Sequence, residues 1–169
     1  EFNPCKFQRK HKDYWNKYLL PEDYLKSKGI YAVSKLAFNK KMQDIRGEAV
    51  FVYYAEDIDR CKILRIGENV DKKQKWRNSI PQDYLFYFPK KKVKDLWIAK
   101  SVKDACTLNF HFGLNSIATQ NEDGIHLLRN NYDRINPIAE RKIVNFGNDF
   151  QAWHESLLIT EYTGWEYFN

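Results

Sequence analysis

The clearest hydrophobic pattern in the chain lies between Ala49 and Gly67. Residues 49–54 are a continuous run of β-branched, aromatic and small side chains, and residues 63–66 form a second, shorter run that is mostly apolar. The segment between them, AEDIDRCK, is polar and has the length of a turn connection. This pattern predicts two strands that pair as a β-hairpin, with Gly67 ending the second strand.

The segments on either side of this hairpin mix helical and strand patterns. In residues 5–28 the apolar side chains recur mostly at helical spacing, and Pro21 divides the segment into two helices. Residues 29–42 fit either a strand or one face of a helix. Residues 84–88 form an aromatic run bounded by prolines, which is typical of an edge strand or a loop. Residues 93–99 are predicted to form a strand.

The last third of the chain is predicted to be mainly helical. Helices are expected at 102–118, with an interruption at Gly113, at 125–132, at 138–146 after the helix-start signal of Asn136-Pro137, and at 149–161. A loop is expected at 119–124, a helix end at Gly147 and a short strand in the tail. The fold class is therefore α+β: a small mixed or antiparallel sheet flanked by helices. At 169 residues we expect a single domain, with a helical segment at 1–28, a strand-rich core at 45–100 and a helical part at 101–169.

Composition and charge favour a polyanionic partner. Aromatic residues make up 16% of the chain, and the net charge is +6. Lysine and arginine attract phosphates, and exposed rings can stack on bases. Three unpaired cysteines and four scattered histidines indicate neither a disulfide framework nor a sequence-local metal site. No signal peptide or membrane span is recognisable, so we expect an intracellular protein, cytoplasmic or nuclear.

Two basic and aromatic stretches in the middle of the chain are the candidate contact surface for nucleic acid. The candidate residues are Arg65, Lys72, Lys73, Lys75, Trp76, Lys90, Lys91, Lys92 and Lys94. A lysine-rich turn that keeps a sheet edge from pairing with other chains explains residues 90–94 equally well.

The central stretch also resembles the start of a GIY-YIG endonuclease. VFVYY at 50–54 and RIG at 65–67 match the two strand motifs, although the literal tripeptide GIY stands earlier, at 29–31. The resemblance implies catalytic roles for Tyr53, Tyr54 and Arg77, with Arg77 on a helix. It also implies a Mg²⁺ ion held by Glu140, or by Glu155 as the alternative.

Three functions are therefore open at this point. The first is a nucleic-acid-binding domain, for DNA or RNA, that needs no cofactor and uses Lys or Arg for phosphates and aromatics for bases. The second is a Mg²⁺-dependent endonuclease, in which an arginine and the metal stabilise the phosphate. The third is a protein-interaction domain, alone or within a larger parent chain. No membrane partner is expected.

Overall fold

The computed structural model describes residues 1–38, 40–68, 70–120, 124–146 and 150–168, without the side chains of 38, 124–126, 150–153 and 155. The chain divides into two compact units, Glu1–Ile80 and Pro81–Asn169. Their boundary falls inside the segment 45–100 that was expected to form one strand-rich core. Helices, an antiparallel sheet and a parallel sheet are all present, which confirms the α+β class.

The first unit is built on an antiparallel sheet with the strand order β1-β2-β4-β5-β6, to which β3 adds a short pairing with β2. The strands are β1 (Phe2–Cys5), β2 (Ile30–Phe38), β3 (Lys41–Met42), β4 (Ala49–Ala55), β5 (Arg60–Ile66) and β6 (Trp76–Asn78). The helices are α1 (Arg9–Trp15) and α2 (Glu22–Ser27), with 3₁₀ turns at Asn16–Tyr18, Glu56–Ile58 and Lys72–Gln74. The predicted hairpin is confirmed as β4 and β5, and the ambiguous segment 29–42 is mainly strand.

Strand β4 is apolar throughout because it is covered on both faces. Phe51 points to one face and lies 5.8 Å from the ring of Trp15 on α1, measured between centroids. On the other face, Val50 and Val52 belong to a second cluster that includes Leu36 and Ile63. A strand buried on both sides reads as a continuous hydrophobic run rather than an alternating one, which explains the pattern from which the hairpin was predicted.

The second unit contains a parallel sheet, which the sequence analysis did not predict, with the strand order β10-β9-β7-β8. Its strands are β7 (Val93–Ala99), β8 (Ser116–Ala118), β9 (Ala139–Asn145) and β10 (Glu166–Tyr167). Its helices are α3 (Val102–Phe112), α4 (Gly124–Asn130), α5 (Tyr132–Ile135) and α6 (Phe150–Thr163), with a 3₁₀ turn at Asn136–Ile138. The core lies around β7 and β9, where Leu96, Ile98 and Val144 are fully buried.

Two predicted helices of this unit are corrected by the structure. The helix expected at 102–118 ends at Phe112, next to the predicted interruption at Gly113, whose φ of +65° is left-handed. Residues 116–118 do not continue the helix but pair with β7. The helix expected at 138–146 is strand β9, in which Val144 pairs with Ile98. Asn136-Pro137 begins only the 3₁₀ turn Asn136–Ile138. The chain then forms β9, because a buried parallel strand gains both ladder hydrogen bonds and core contacts.

Two further sequence predictions involve residues that the structure does not describe. Positions 121–123 of the predicted loop and the predicted helix end at Gly147 lie outside the described residues.

In the part of the chain that is described, no helix has both the length and the apolarity needed to cross a bilayer.

Candidate nucleic-acid interface

Edge strand β6 of the first unit and the 3₁₀ turn before it carry a group of exposed cationic and aromatic side chains. We call this group the basic edge; it consists of Lys72, Lys73, Lys75, Trp76 and Arg77, all of them exposed. The group is placed by a 3₁₀ turn that Asp71 begins, because its carboxylate accepts a hydrogen bond of 2.8 Å from the backbone N–H of Lys73. The chain then runs alongside β5, where the carbonyl of Lys75 accepts a hydrogen bond of 2.9 Å from the N–H of Arg65.

Trp76 is the aromatic centre of the basic edge. Its side chain is 43% exposed, and the Nζ atom of Lys62 lies 4.4 Å from the ring centroid. Tyr53 lies on the same face of the sheet as Trp76, and the two ring centroids are 6.0 Å apart. An ammonium over an indole ring is an attractive arrangement. Burial lowers the pKa of Lys62. The ring of Trp76 is thus held in place by its neighbours while a large part of it faces solvent.

Sequence reasoning missed Lys62, and the signal that identifies it is the register of the hairpin. Tyr53 pairs with Lys62, and Leu64 pairs with Trp76. Lys62 and Leu64 lie two residues apart on β5, so their side chains point to the same face. Once β6 is known to follow β5 in the sheet, these pairings place Lys62, Tyr53 and Trp76 together.

The two predicted catalytic tyrosines point to opposite faces of the sheet, because they are consecutive residues of a strand. Tyr53 is buried at 3% exposure on the face of Trp76. Tyr54 lies on the other face, where its hydroxyl donates a 2.9 Å hydrogen bond to the carboxylate of Asp59. This hydrogen bond raises the pKa of Tyr54. The structure therefore does not bring both hydroxyls to one site.

Arg77 lies on strand β6, not on a helix as the resemblance implies. It pairs with Ile63 and so points away from the face of Trp76. The literal GIY tripeptide opens β2, where Ile30 pairs with Tyr53 of β4. The motif strands are thus neighbours in the sheet, but the described residues that follow Gly67 form a 3₁₀ turn and a strand.

The side chain of Arg65 forms a nearly buried ion pair, although its backbone N–H bonds to Lys75 of the basic edge. Its side chain donates to both carboxylate oxygens of Glu48, at 2.7 Å from Nε and 2.6 Å from Nη2, and also to the carbonyl of Asp44. Arg65 is 8% exposed, and its hydrogen bonds with Glu48 raise its pKa. The guanidinium therefore uses its hydrogen bonds inside the protein, and this environment favours a structural role over a phosphate contact.

The predicted metal ligand and the second lysine group belong to the second unit. Glu140 is exposed on β9, and the side chain of Glu155 lies outside the described residues. Among the described residues, no group of three or more His, Cys, Asp and Glu side chains is arranged to hold a metal ion. The lysine group is exposed in the turn before β7 and on β7 itself; it comprises Lys90, Lys91, Lys92 and Lys94.

Comparison with known proteins gives similarity of fold only. No family model matches the chain, and no curated protein matches it. The primase fragment of the bacteriophage T7 primase-helicase protein is similar at a TM-score of 0.64 and 13% identity, over 86% of this chain and 59% of that one. The DnaG catalytic core is similar at a TM-score of 0.61 and 12% identity, over 93% of this chain and 61% of that one.

A third similar structure is that of a T7 lagging-strand DNA polymerase interacting with primase domains of two gp4 subunits, bound to an RNA/DNA hybrid and dTTP. The TM-score is 0.63 and the identity 12%, over 95% of this chain and 74% of that one. The chain spans about three fifths of the length of the T7 primase fragment and of the DnaG core. At these identities, the likeness establishes that the chain shares a fold with primase chains.

Proposed function

We propose that this protein is a nucleic-acid-binding domain whose basic edge contacts phosphates through Lys72, Lys73 and Lys75 and stacks a base on Trp76. The observation that carries the proposal is the exposed Trp76 ring, fixed by Lys62 and Tyr53 and flanked by exposed cations. The similarity to primase chains, one of them in a complex with an RNA/DNA hybrid, supports a partner of this kind.

The chemistry of the basic edge fits an extended strand of nucleic acid. Each lysine that neutralises a phosphate releases a condensed counterion, which makes binding strong at low salt and steeply dependent on salt. A base that stacks on an aromatic side chain adds about 1–3 kcal/mol, with little dependence on its identity. The net charge of +6 adds attraction over a longer range. The proposal places the protein inside the cell, alongside nucleic acid and any protein that works on it.

A Mg²⁺-dependent endonuclease is the second candidate function. It is favoured by the exposed position of Arg77 within the basic edge, because an arginine beside a bound phosphate can stabilise the charge that develops during cleavage. It also requires a carboxylate that holds the metal, a role that the sequence analysis assigned to Glu140, a residue of the second unit. This candidate requires that EDTA stops cleavage and that Arg77→Ala abolishes it while binding persists.

Replacing Trp76 tests the proposed function. We expect Trp76→Ala to weaken the binding of a fluorescein-labelled single-stranded oligonucleotide by about tenfold, since one stacked base is worth about 1–3 kcal/mol. Trp76→Phe should retain most of the affinity. Fluorescence anisotropy at a fixed salt concentration measures the effect.

The matched control is Phe112→Ala, which removes another exposed ring, 68% exposed and in the second unit. It should leave the affinity unchanged. Equal affinities of Trp76→Ala and the unmodified protein, with both folded by circular dichroism, would rule out the stacking role.

A further inference from the structure

Two arginines on the helices of the second unit lie over aromatic rings. The Cζ atom of Arg129, at the end of α4, is 4.6 Å from the ring centroid of Tyr162 on α6. The Cζ atom of Arg134, on α5, is 5.0 Å from the ring centroid of Phe88. Both arginines are exposed, and neither was assigned a role in the sequence analysis. A guanidinium that lies over an aromatic ring is held there by attraction to the face of the ring.

The rings beneath these arginines are themselves fixed. Tyr162 is 58% exposed and meets Tyr132 edge-on at 6.5 Å. Tyr132 in turn stacks on Trp165 at 5.7 Å with an interplanar angle of 8°. Phe88 packs against the hydrophobic core of the unit. The ring under each guanidinium is therefore held in place by other side chains of the unit, without any ligand.

Arg134 is held by a second contact, to a buried amide. Its Nη1 donates a 2.8 Å hydrogen bond to Oδ1 of Asn131, which is only 1% exposed. The Nδ2 of Asn131 is bonded to the carbonyls of Leu127 and Asp83, both at 2.9 Å. The amide is thus fixed with its oxygen toward the arginine. A guanidinium anchored in this way loses little side-chain entropy when it binds an anion.

Neither arginine is neutralised by a carboxylate within the described part of the chain. The contrast is Arg141 on β9, which is paired with Glu166 at 2.8 Å and with Asp95 at 3.2 Å. Asp133 lies on α5 with Arg134, and Glu161 lies on α6 with Tyr162; both carboxylates are exposed. In the described structure, neither carboxylate forms an ion pair with Arg129 or Arg134. Among the described residues, the charge of both arginines is thus not balanced by a carboxylate, unlike that of Arg141.

We infer that Arg129 and Arg134, together with Lys90, Lys91 and Lys92, form a second phosphate-binding surface for nucleic acid. The lysines begin two positions after Phe88, the ring that supports Arg134. Planar guanidinium groups bind phosphate oxygens in a bidentate fashion, and lysines add charge without fixed geometry. This inference rests on the proposed function and adds to it a contact surface built from residues of the second unit.

The test is the salt dependence of oligonucleotide binding by the full chain carrying Arg129→Ala and Arg134→Ala together. Loss of two phosphate contacts to a single strand should reduce the slope of log K against log salt by about 1.4 and lower the affinity about tenfold at moderate salt. Parallel titrations with single-stranded DNA, single-stranded RNA and an RNA/DNA hybrid show which backbone the surface prefers. Lys12→Ala with Lys17→Ala removes the same charge from exposed positions of the first unit and is the control.

A charge-neutral variant separates a supported arginine from general electrostatics. Tyr162→Ala removes the ring under Arg129 without changing the net charge, and we expect it to weaken binding about threefold. Competition with polyglutamate tests the alternative of an acidic protein segment. Polyglutamate should compete far less well than an unlabelled oligonucleotide of equal charge, and equal competition would overturn the inference.

The outcomes distinguish this inference from the proposed function. If the double arginine variant binds like its lysine control while Trp76→Ala is impaired, the second surface is disproved and the basic edge stands. If the unmodified protein binds none of the three nucleic acids, both proposals fail together. A double variant that unfolds, as judged by circular dichroism, is replaced by Arg129→Gln with Arg134→Gln, for which the same loss of slope is expected.

Discussion

Arg65 and Glu48 illustrate how a single contact decides the role of a charged residue. Their side chains are 9% and 14% exposed and are joined by two short hydrogen bonds. We expect Arg65→Ala to lower the free energy of unfolding by about 3 kcal/mol, because it leaves the Glu48 carboxylate nearly buried without its partner. Urea denaturation measures the change.

The control for this prediction is Arg46→Ala. Arg46 pairs with Asp44 at 2.7 Å, but the two side chains are 92% and 63% exposed. Removing an exposed pair should cost less than about 1 kcal/mol. Equal, small effects of the two substitutions would contradict the structural role of Arg65 and return it to the candidate phosphate ligands.

His11 makes the stability of the first unit dependent on pH. The side chain is 1% exposed, and its Nδ1 accepts a 3.1 Å hydrogen bond from the backbone N–H of Gln8 at the start of α1. Burial lowers the pKa of His11 from 6.5 to about 4. The unfolded chain therefore binds more protons than the folded chain between these values. The free energy of unfolding should fall as the pH is lowered from about 6.5 to about 4, by about 3 kcal/mol in total.

His11→Gln is the matched variant for this pH dependence. Glutamine at this position can accept the same backbone hydrogen bond and does not titrate. Urea titrations at pH 7, 5.5 and 4.5 should show a steeper loss of stability for the unmodified protein than for the variant. Parallel curves over this range would show that His11 is not buried as a neutral group.

At the residue scale, the sequence indicated which charged side chains are exposed but not which of them form ion pairs inside the protein. The lysines of the basic edge were proposed as contacts from composition, and the structure leaves them at the surface. Arg65 looked equivalent in the sequence, but its partner Glu48 lies 17 positions away. Only the pairing of β4 with β5 brings the two together, and no local pattern encodes that pairing.

At the scale of elements, Gly29 controls the join between α2 and β2. Its φ is +72°, and a Cβ atom there would lie 2.6 Å from the carbonyl oxygen of Tyr54 on β4. We expect Gly29→Ala to destabilise the first unit by about 2 kcal/mol or more, because it combines backbone strain with a clash against backbone. Thermal unfolding followed by circular dichroism measures the loss.

Gly47→Ala provides the comparison within the same unit. Gly47 also has a positive φ, +79°, but a Cβ atom there would meet nothing within 4 Å. Its substitution should cost about 1 kcal/mol, the strain alone. If Gly29→Ala were no more harmful than Gly47→Ala, the close approach of Gly29 to Tyr54 on β4 would be disproved.

Elements with a local signal were predicted, and those defined by tertiary pairing were not. The hairpin, β7, α1 and α2 follow from apolar runs, periodicity and Pro21. Strand β9 was wrongly predicted as a helix because its ladder with β7 is absent from the local sequence. Strand β6 was missed for the same reason: its three residues are exposed, and only pairing with β5 makes them a strand.

At the scale of the whole molecule, the two units divide the predicted contact residues between them. The basic edge belongs to the first unit, and the lysines at 90–94 belong to the second. Net charge and aromatic content indicated a polyanionic partner from composition alone, because those quantities need no fold. The division into two units depends on which strands pair, and composition carries no information about pairing.

The most direct test of nucleic-acid binding is the salt dependence of oligonucleotide affinity with and without the lysines of the basic edge. Lys72, Lys73 and Lys75 are changed together to alanine, and the control changes three other exposed lysines of the first unit, Lys6, Lys12 and Lys17. If each edge lysine neutralises one phosphate of a single strand, the slope of log K against log salt falls by about 2 in the first variant and stays unchanged in the control. Identical slopes in the two variants, or no binding by the unmodified protein, would contradict the account.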